Sequence, residues 1–447
     1  MISLKLFQNL SSDNSVIKNI CIRLSPKNFE NLIESLSQDR KFSFPLQGTL
    51  NRDKVYLYSA SSYFDSVADY LPEEVVIKPF ELHVFVDDGN TLTAGSFKIK
   101  DYECKWIIDR NIWASCFKKV KDTASGYICN EMLIKGLTAA STISFFQEKK
   151  YYIFRGREGS GNSTLEITVP LAEGYCSSGL INQNSHVTDA MGKRTSLLLG
   201  PEGMNKVDRI CIGCIGVGGL GNHFVTAAMH LGIKGFILVD EDRLEESNLN
   251  RFYGAVREDT GKFKTSLLRR EITGLHREGN VIEVREFFPS RESILELEAA
   301  DILVAGLDDD RTRLLLQVYA LATQRPLLDM GCGIYSDASG KPDEWGGQWR
   351  LALPGGPCLA CMGLSPEGED SCVTGGKGYL AGTGITPASI VTLSATVAAQ
   401  GLSMLLRYII GNPFPCRHVK YDELSMILFR INELKHNDCC LCGEGYF

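Results

Sequence analysis

From Arg209 onward, short continuous apolar runs alternate with longer stretches whose apolar residues recur at helical spacing. A short apolar run bounded by turn residues reads as a buried strand, and a 3.6-residue period reads as an amphipathic helix. The pattern predicts strands over 209–216, 235–240, 281–287 and 302–306, with helices from the glycine-rich turn to His230 and from Lys264 to Leu275. Strands alternating with helices predict an α/β fold built on a doubly wound, mostly parallel sheet. Residues 1 to about 185 read differently. They mix β-like runs at 54–58, 81–86 and 151–154 with amphipathic stretches such as 28–36 and 130–146, which predicts a separate α+β domain. Gly, Ser and Asn crowd 159–164 and 174–187, so the boundary is expected near 185–195, dividing the chain into domains 1–187 and 188–447. The apolar stretch 388–406 carries Ser389, Thr392, Ser394, Thr396, Gln400 and Ser403, so it predicts a buried core helix rather than a membrane span.

Composition narrows the classes without choosing among them. The chain is 44% hydrophobic and 23% charged, an ordinary globular balance that excludes disordered and collagen-like readings. A net charge of −7 with no basic block argues against nucleic acid or an anionic membrane as the main partner. The fifteen cysteines are an odd count, and MISLKLFQNLSSDN has no basic stretch followed by an apolar one. A cytoplasmic, reducing location is therefore the expectation.

Chemistry enters where the first of these strands meets Gly216-Val217-Gly218-Gly219-Leu220-Gly221 and a helix begins. Glycines at such a turn let phosphate oxygens approach the backbone N–H groups of the helix N-terminus. Asp240 closes the next strand, where a carboxylate accepts hydrogen bonds from a ribose. Alone, these features suit NAD, or glycines that merely serve close packing. The residues beyond Asp240 suit a triphosphate and its magnesium better: Asp242, Asn248 and Arg251, then Gly261-Lys-Phe-Lys264, then Asp308-Asp309-Asp310-Arg-Thr-Arg313. Arg251 and Lys264 have the charge to neutralise an α-phosphate and a leaving pyrophosphate, and Asp308 the charge to hold the metal.

The combination GVGGLG, DxDxxxxSNLNR, GxxK and D-x-x-x-x-R over about 190–447 resembles the adenylating, Rossmann-like fold of the ThiF, MoeB and HesA proteins and of the activating enzymes of ubiquitin-like modifiers. The resemblance implies that Gly216, Gly218, Gly219, Gly221, Asp240, Asp242, Asn248, Arg251, Lys264 and Asp308 contact ATP and Mg2+. It also implies a homodimer in which Arg194 reaches the partner's nucleotide, although the Arg-Gln pair of such members reads Arg194-Thr195 here. The implied reaction is attack by a protein's C-terminal carboxylate on the α-phosphate of ATP. A carboxylate is already nucleophilic at neutral pH, so catalysis needs alignment and charge neutralisation more than acid or base.

Cys358-Leu-Ala-Cys361 and Cys439-Cys440-Leu-Cys442 form two CxxC pairs. Together they have the make-up of a closed, structural four-cysteine Zn2+ site, with a redox dithiol or core cysteines as the alternatives. Such paired motifs are also found in members of the resembled family. Cys372 lies in a polar, glycine-rich stretch, 367–378, ahead of Ala381–Ser389. Its position resembles that of the cysteine that takes the acyl group as a thioester in relatives with a covalent intermediate; an inert loop cysteine is the other reading. Cys211 and Cys214 read as core, and His223 and His230 as helix packing. Trp345 and Trp349 either line a groove for an incoming tail or anchor the interior.

The expected function is adenylation of the C-terminal glycine of a ubiquitin-like protein, with transfer to Cys372 and then to a conjugating enzyme. A sulfur-carrier adenylyltransferase, a peptide-modifying adenylase, a tRNA-modifying relative, a non-enzymatic scaffold and a dehydrogenase are the alternatives. The N-terminal domain is expected to bind substrate or partner, or to be a degenerate adenylation-like copy.

Overall fold

The apolar runs at 209–216, 235–240 and 302–306 become strands buried on both faces, as a parallel sheet covered by helices requires, whereas the run at 281–287 becomes a half-buried strand at the sheet edge. In chain order the elements are helix Lys193–Arg209 (α1), strand Cys211–Ile215 (β1), Gly219–Leu231 (α2), Gly235–Val239 (β2), Lys264–Leu275 (α3), Asn280–Val284 (β3), Arg291–Leu297 (α4) and Ile302–Ala305 (β4). Next come Asp310–Ala322 (α5), Leu327–Ser336 (β5), Pro342–Ala352 (β6), Gly378–Tyr379 (β7), Val391–Ile410 (α6), His418–Asp422 (β8) and Ile427–Ile431 (β9). These strands make one sheet in the order β3-β2-β1-β4-β5-β6-β8-β9, with β7 on β5. From β3 to β5 the pairs are parallel; from β5 outward they are antiparallel. The expected parallel, doubly wound sheet is thus the half that carries the glycine turn. Strand order reverses between β1 and β4, and the loops after them open at that reversal, where α/β sheets bind ligands.

This computed structural model describes residues 2–8, 19–25, 27–28, 31, 42–52, 54–86, 91–99, 102–109, 142–146, 151–157, 164–168, 192–336, 342–364, 378–379, 390–411, 416–432, 434–439 and 441–443. Two units divide the chain: Met1–Leu171 with Cys176–Leu180 and Ala322–Gln324, and Ala172–Tyr175 with Ile181–Leu321 and Arg325–Phe447. In the first unit, the runs at 54–58, 81–86 and 151–154 lie in strands Lys54–Ser59, Val76–Val86 and Tyr151–Arg157 of a ten-stranded sheet. Asn19–Arg23 pairs parallel with Lys54–Ser59 and Thr164–Thr168, and the other neighbours are antiparallel. Most of the amphipathic stretches 28–36 and 130–146, and the loops at 159–164 and 174–187, lie outside the described residues.

In the second unit the core gathers Ile212, Phe236, Leu238, Ile302, Val304 and Leu328 from the sheet, with Phe224, Leu268 and Leu405 from the helices, all at 0% exposure. Helix α6 is long and apolar enough to cross a membrane by composition, yet it packs on α2, β5 and β6, with Leu405, Tyr408 and Ile409 fully buried. It serves as a core helix. Gly411, in a left-handed conformation (φ 77°), ends it; the prolines of 412–415 lie outside the described residues. Trp349, 3% exposed, is an interior anchor in the core cluster, and half-buried Trp345 packs against it. Cys214 is wholly buried, and burial pushes its thiol up.

Candidate active site

The glycine turn is shaped by how closely it meets the end of β4. Gly216 has φ 79°, and a Cβ there would lie 2.7 Å from the Gly306 carbonyl oxygen. At Gly221 a Cβ would stand 2.0 Å from the Gly216 oxygen, so neither position admits a side chain. Gly218, ahead of the first turn of α2, faces open space. The helix N-terminus, with its outward N–H groups and positive dipole end, is thereby left accessible to an anion.

Acidic and basic residues after β2 are tied to this turn. Asp240 accepts from Val217 N (2.8 Å), inside the turn, and from Asp242 N (2.8 Å). Burial raises its pKa, and Lys264 and the two N–H bonds oppose that rise. Lys264, the first residue of α3, is buried and donates to Asp242 Oδ2 at 2.7 Å. Lys264 is thus already paired with one of the carboxylates expected to contact nucleotide. Asp242 remains mostly exposed, so this pair can reorganise when phosphates bring their own charge.

Arg251 lies along the glycine turn: a Cβ on Gly219 would sit 3.3 Å from Arg251 Cδ. Its Nη1 donates to Ser247 O (3.1 Å) and Asn250 Oδ1 (3.0 Å), leaving Nε and Nη2 without a partner among the described residues. Asn248 shapes this loop. Its Oδ1 accepts from Glu245 N, and its carbonyl accepts from Arg251 N at 3.0 Å.

After β4, Gly306 and Leu307 lead to exposed Asp308. Asp309 caps α5, accepting from Thr312 N (2.8 Å) and Oγ1 (2.6 Å), which lowers its pKa. Sequence reasoning places Arg313 only as the last residue of the D-x-x-x-x-R pattern, with no role of its own. In the structure it makes a fork to Asp329 (2.8 and 2.6 Å), reaches Asp310 (2.6 Å), and shares Asp329 with buried Arg350 (3.2 Å). The network ties the acidic loop to β5 and β6. A second missed group is buried Asp259, which accepts from Arg270 (2.8 and 3.1 Å), Lys262 (2.8 Å) and Val256 N (3.1 Å). It fastens the loop between Arg251 and Lys264. These bonds, Arg270 first, hold its carboxyl well below the usual range.

A carboxylate with a depressed pKa stabilises the fold above its unfolded value near 3.9, and that stabilisation is lost as pH falls below it. Asp259→Asn is therefore expected to lower stability by about 2 kcal/mol at pH 7, the scale of a hydrogen bond to a charged group. In thermal melts the gap to wild type should narrow below about pH 4. A gap independent of pH contradicts this account.

Four sulfurs, of Cys358, Cys361, Cys439 and Cys442, lie within 4.8 Å of one another, with Cys358–Cys439 at 3.6 Å and Cys361–Cys442 at 3.4 Å. A tetrahedral zinc with Zn–S near 2.3 Å sets S···S edges of about 3.8 Å, so the cluster fits the ion. Burial pushes the Cys361 thiol up to about 11, which a bound cation would reverse. Among the described residues this is the one such cluster; His223 is buried against Tyr253 and His230 is exposed. Arg194 stands exposed on the first turn of α1, and Cys372 lies outside the described residues.

The model of the ThiF family matches residues 193–442, more than half of the chain. The SAMP-activating enzyme E1 of Haloferax volcanii is 27% identical over 253 residues, covering 55% of this chain and 85% of that one. The sulfur carrier protein adenylyltransferase of Thermus thermophilus is 28% identical over 259 residues, covering 55% and 87%. Among solved structures, E. coli MccB with ATP has a TM-score of 0.47 at 20% identity, over 57% of this chain and 75% of that one.

Proposed function

The chain belongs to the ThiF family and is an adenylyltransferase, and on that premise we propose that it activates the C-terminal glycine of a ubiquitin-like protein. The observation that carries this reading is Arg251, packed on Gly219 with two donors uncommitted at a helix N-terminus. A terminal carboxylate oxygen attacks the α-phosphorus of ATP, the bond to the β-phosphate oxygen breaks, and pyrophosphate leaves. Arg251 and Lys264 offset the charge gathering on the phosphates, Asn248 holds the loop, and Asp240 with Asp242 orders the nucleotide. Asp308 would hold magnesium, which supplies further charge neutralisation when bound. The Cys372 thiolate, its proton lost to solvent, then attacks the acyl carbon; the C–O bond to AMP breaks and a thioester forms.

Relatives named as a SAMP-activating enzyme E1 and as a sulfur carrier protein adenylyltransferase support a protein substrate. So does the β8–β9 hairpin, where Leu424, Met426, Ile427, Leu428 and Phe429 are all exposed. A sulfur carrier is the second reading, favoured by the Thermus relative. We assign recognition of substrate or conjugating partner to domain 1–187, since its largely antiparallel sheet favours that over a copy of the adenylation fold. The protein would act in the cytosol. With ATP and a glycine-ended β-grasp protein, a reductant-sensitive adduct is expected that Cys372→Ala abolishes. Pyrophosphate release without any adduct would select the sulfur-carrier reading.

The structure also supports delivery of Arg194 from a second copy. Leu197 and Leu198, 86% and 80% exposed, lie at i+3 and i+4 from Arg194, so all three share one helix face. Replacing both leucines by serine is expected to convert a dimer to a monomer in sedimentation and to lower activity as far as Arg194→Ala does. A monomeric wild type would reject this arrangement.

A further inference from the structure

One face of α2 grips the arginine loop at three successive positions. Gly219, Asn222 and His223, spaced i, i+3 and i+4, fall on the same side of the helix. Gly219 receives the Arg251 stem. Asn222, at 0% exposure, uses both ends of its amide on one residue: Oδ1 accepts from Tyr253 N (2.8 Å), and Nδ2 donates to Tyr253 O (3.3 Å). The His223 ring meets the Tyr253 ring edge-on, with centroids 4.1 Å apart. Between these contacts Phe252 is 4% exposed and belongs to the core.

An amide that pairs with both backbone groups of one residue fixes that residue in position and direction, as a strand neighbour would. Arg251 stands two residues before Tyr253, and its own guanidinium bonds stay within residues 247–250, so nothing else in its hydrogen bonding ties it to α2. We infer that Asn222 is a positioning residue for adenylation: it registers Arg251 against the N-terminus of α2, where the α-phosphate is received. This rests on the proposed role of Arg251 in neutralising that phosphate.

The test compares wild type, Asn222→Ala, Arg251→Ala and the double variant in carrier-dependent exchange of pyrophosphate into ATP. Amide hydrogen exchange of residues 247–254 is measured in parallel. An arginine displaced by about 1 Å loses on the order of 10²-fold in rate. Asn222→Ala should therefore slow turnover by that much with little change in KM for ATP, and should accelerate amide exchange in the loop. In the Arg251→Ala background the same change should cost under about twofold, because a residue acting through Arg251 has nothing left to position. Full additivity, or wild-type turnover in Asn222→Ala, overturns the inference. If wild type itself lacks exchange activity, the functional reading fails and loop amide exchange decides: acceleration upholds the clamp and no change overturns it. Asn222→Asp, which keeps the acceptor for Tyr253 N, supplies the folded comparison if the alanine variant unfolds.

Discussion

Arg251→Ala is expected to slow adenylation by about 10²- to 10³-fold, or ~2.7–4 kcal/mol, the scale seen when one donor to developing charge is removed. Stability should hardly change. Both Arg251 bonds, to a loop carbonyl and to Asn250, are solvent-exposed, and losing exposed polar contacts costs little. Arg251→Lys should recover only part of the loss, since an ammonium cannot present two parallel donors to a phosphate. Lys264→Ala makes an instructive contrast. Its side chain is 11% exposed and paired with Asp242, so removal costs both rate and fold. A large rate loss without a stability loss at Arg251, and both losses at Lys264, distinguishes a charge aimed at substrate from one that also braces the loop.

Loss of the metal should have the largest structural effect. Structural four-cysteine zinc sites bind with apparent free energies of about 10–16 kcal/mol, comparable to the ~5–15 kcal/mol that hold a domain together. Cys358 and Cys361 lie just after β6, and Cys439 and Cys442 just after β9, so the ion would close a loop containing α6 and the whole outer hairpin. Strong chelation, or Cys442→Ser, is expected to release one zinc per chain by elemental analysis and to free the 416–443 segment to proteolysis. Protein purified with no bound metal, yet resistant to proteolysis there, would contradict the closed site.

The sequence announces the parts of this site that obey a local rule. A GxGxxG spacing after an apolar run, an aspartate at the next strand end and two CxxC pairs each carry their own signature, and the structure brings Gly219 to Arg251, Asp240 to Val217 and four sulfurs into one cluster. What stays hidden is polar pairing across the chain. Asn222 with Tyr253 spans 31 residues, and Arg350 with Asp329 spans 21, and no periodicity marks such partners. Arg313 could have been singled out, since it directly precedes the apolar run 314–316 and a buried arginine needs an acid; which acid depends on the register of β5. The antiparallel half also escaped notice. In β9 every residue but the last is exposed, so the inside-outside alternation that identifies a strand is missing.

The central claim is that a protein's terminal carboxylate is the nucleophile toward ATP, and exchange of labelled pyrophosphate into ATP tests it most directly. The assay pairs wild-type enzyme with a glycine-ended β-grasp protein and with the same protein bearing a C-terminal amide. Exchange with the carboxylate form and none with the amide is the result this account predicts. Exchange that proceeds equally with the amide, or in the absence of any carrier, would contradict it.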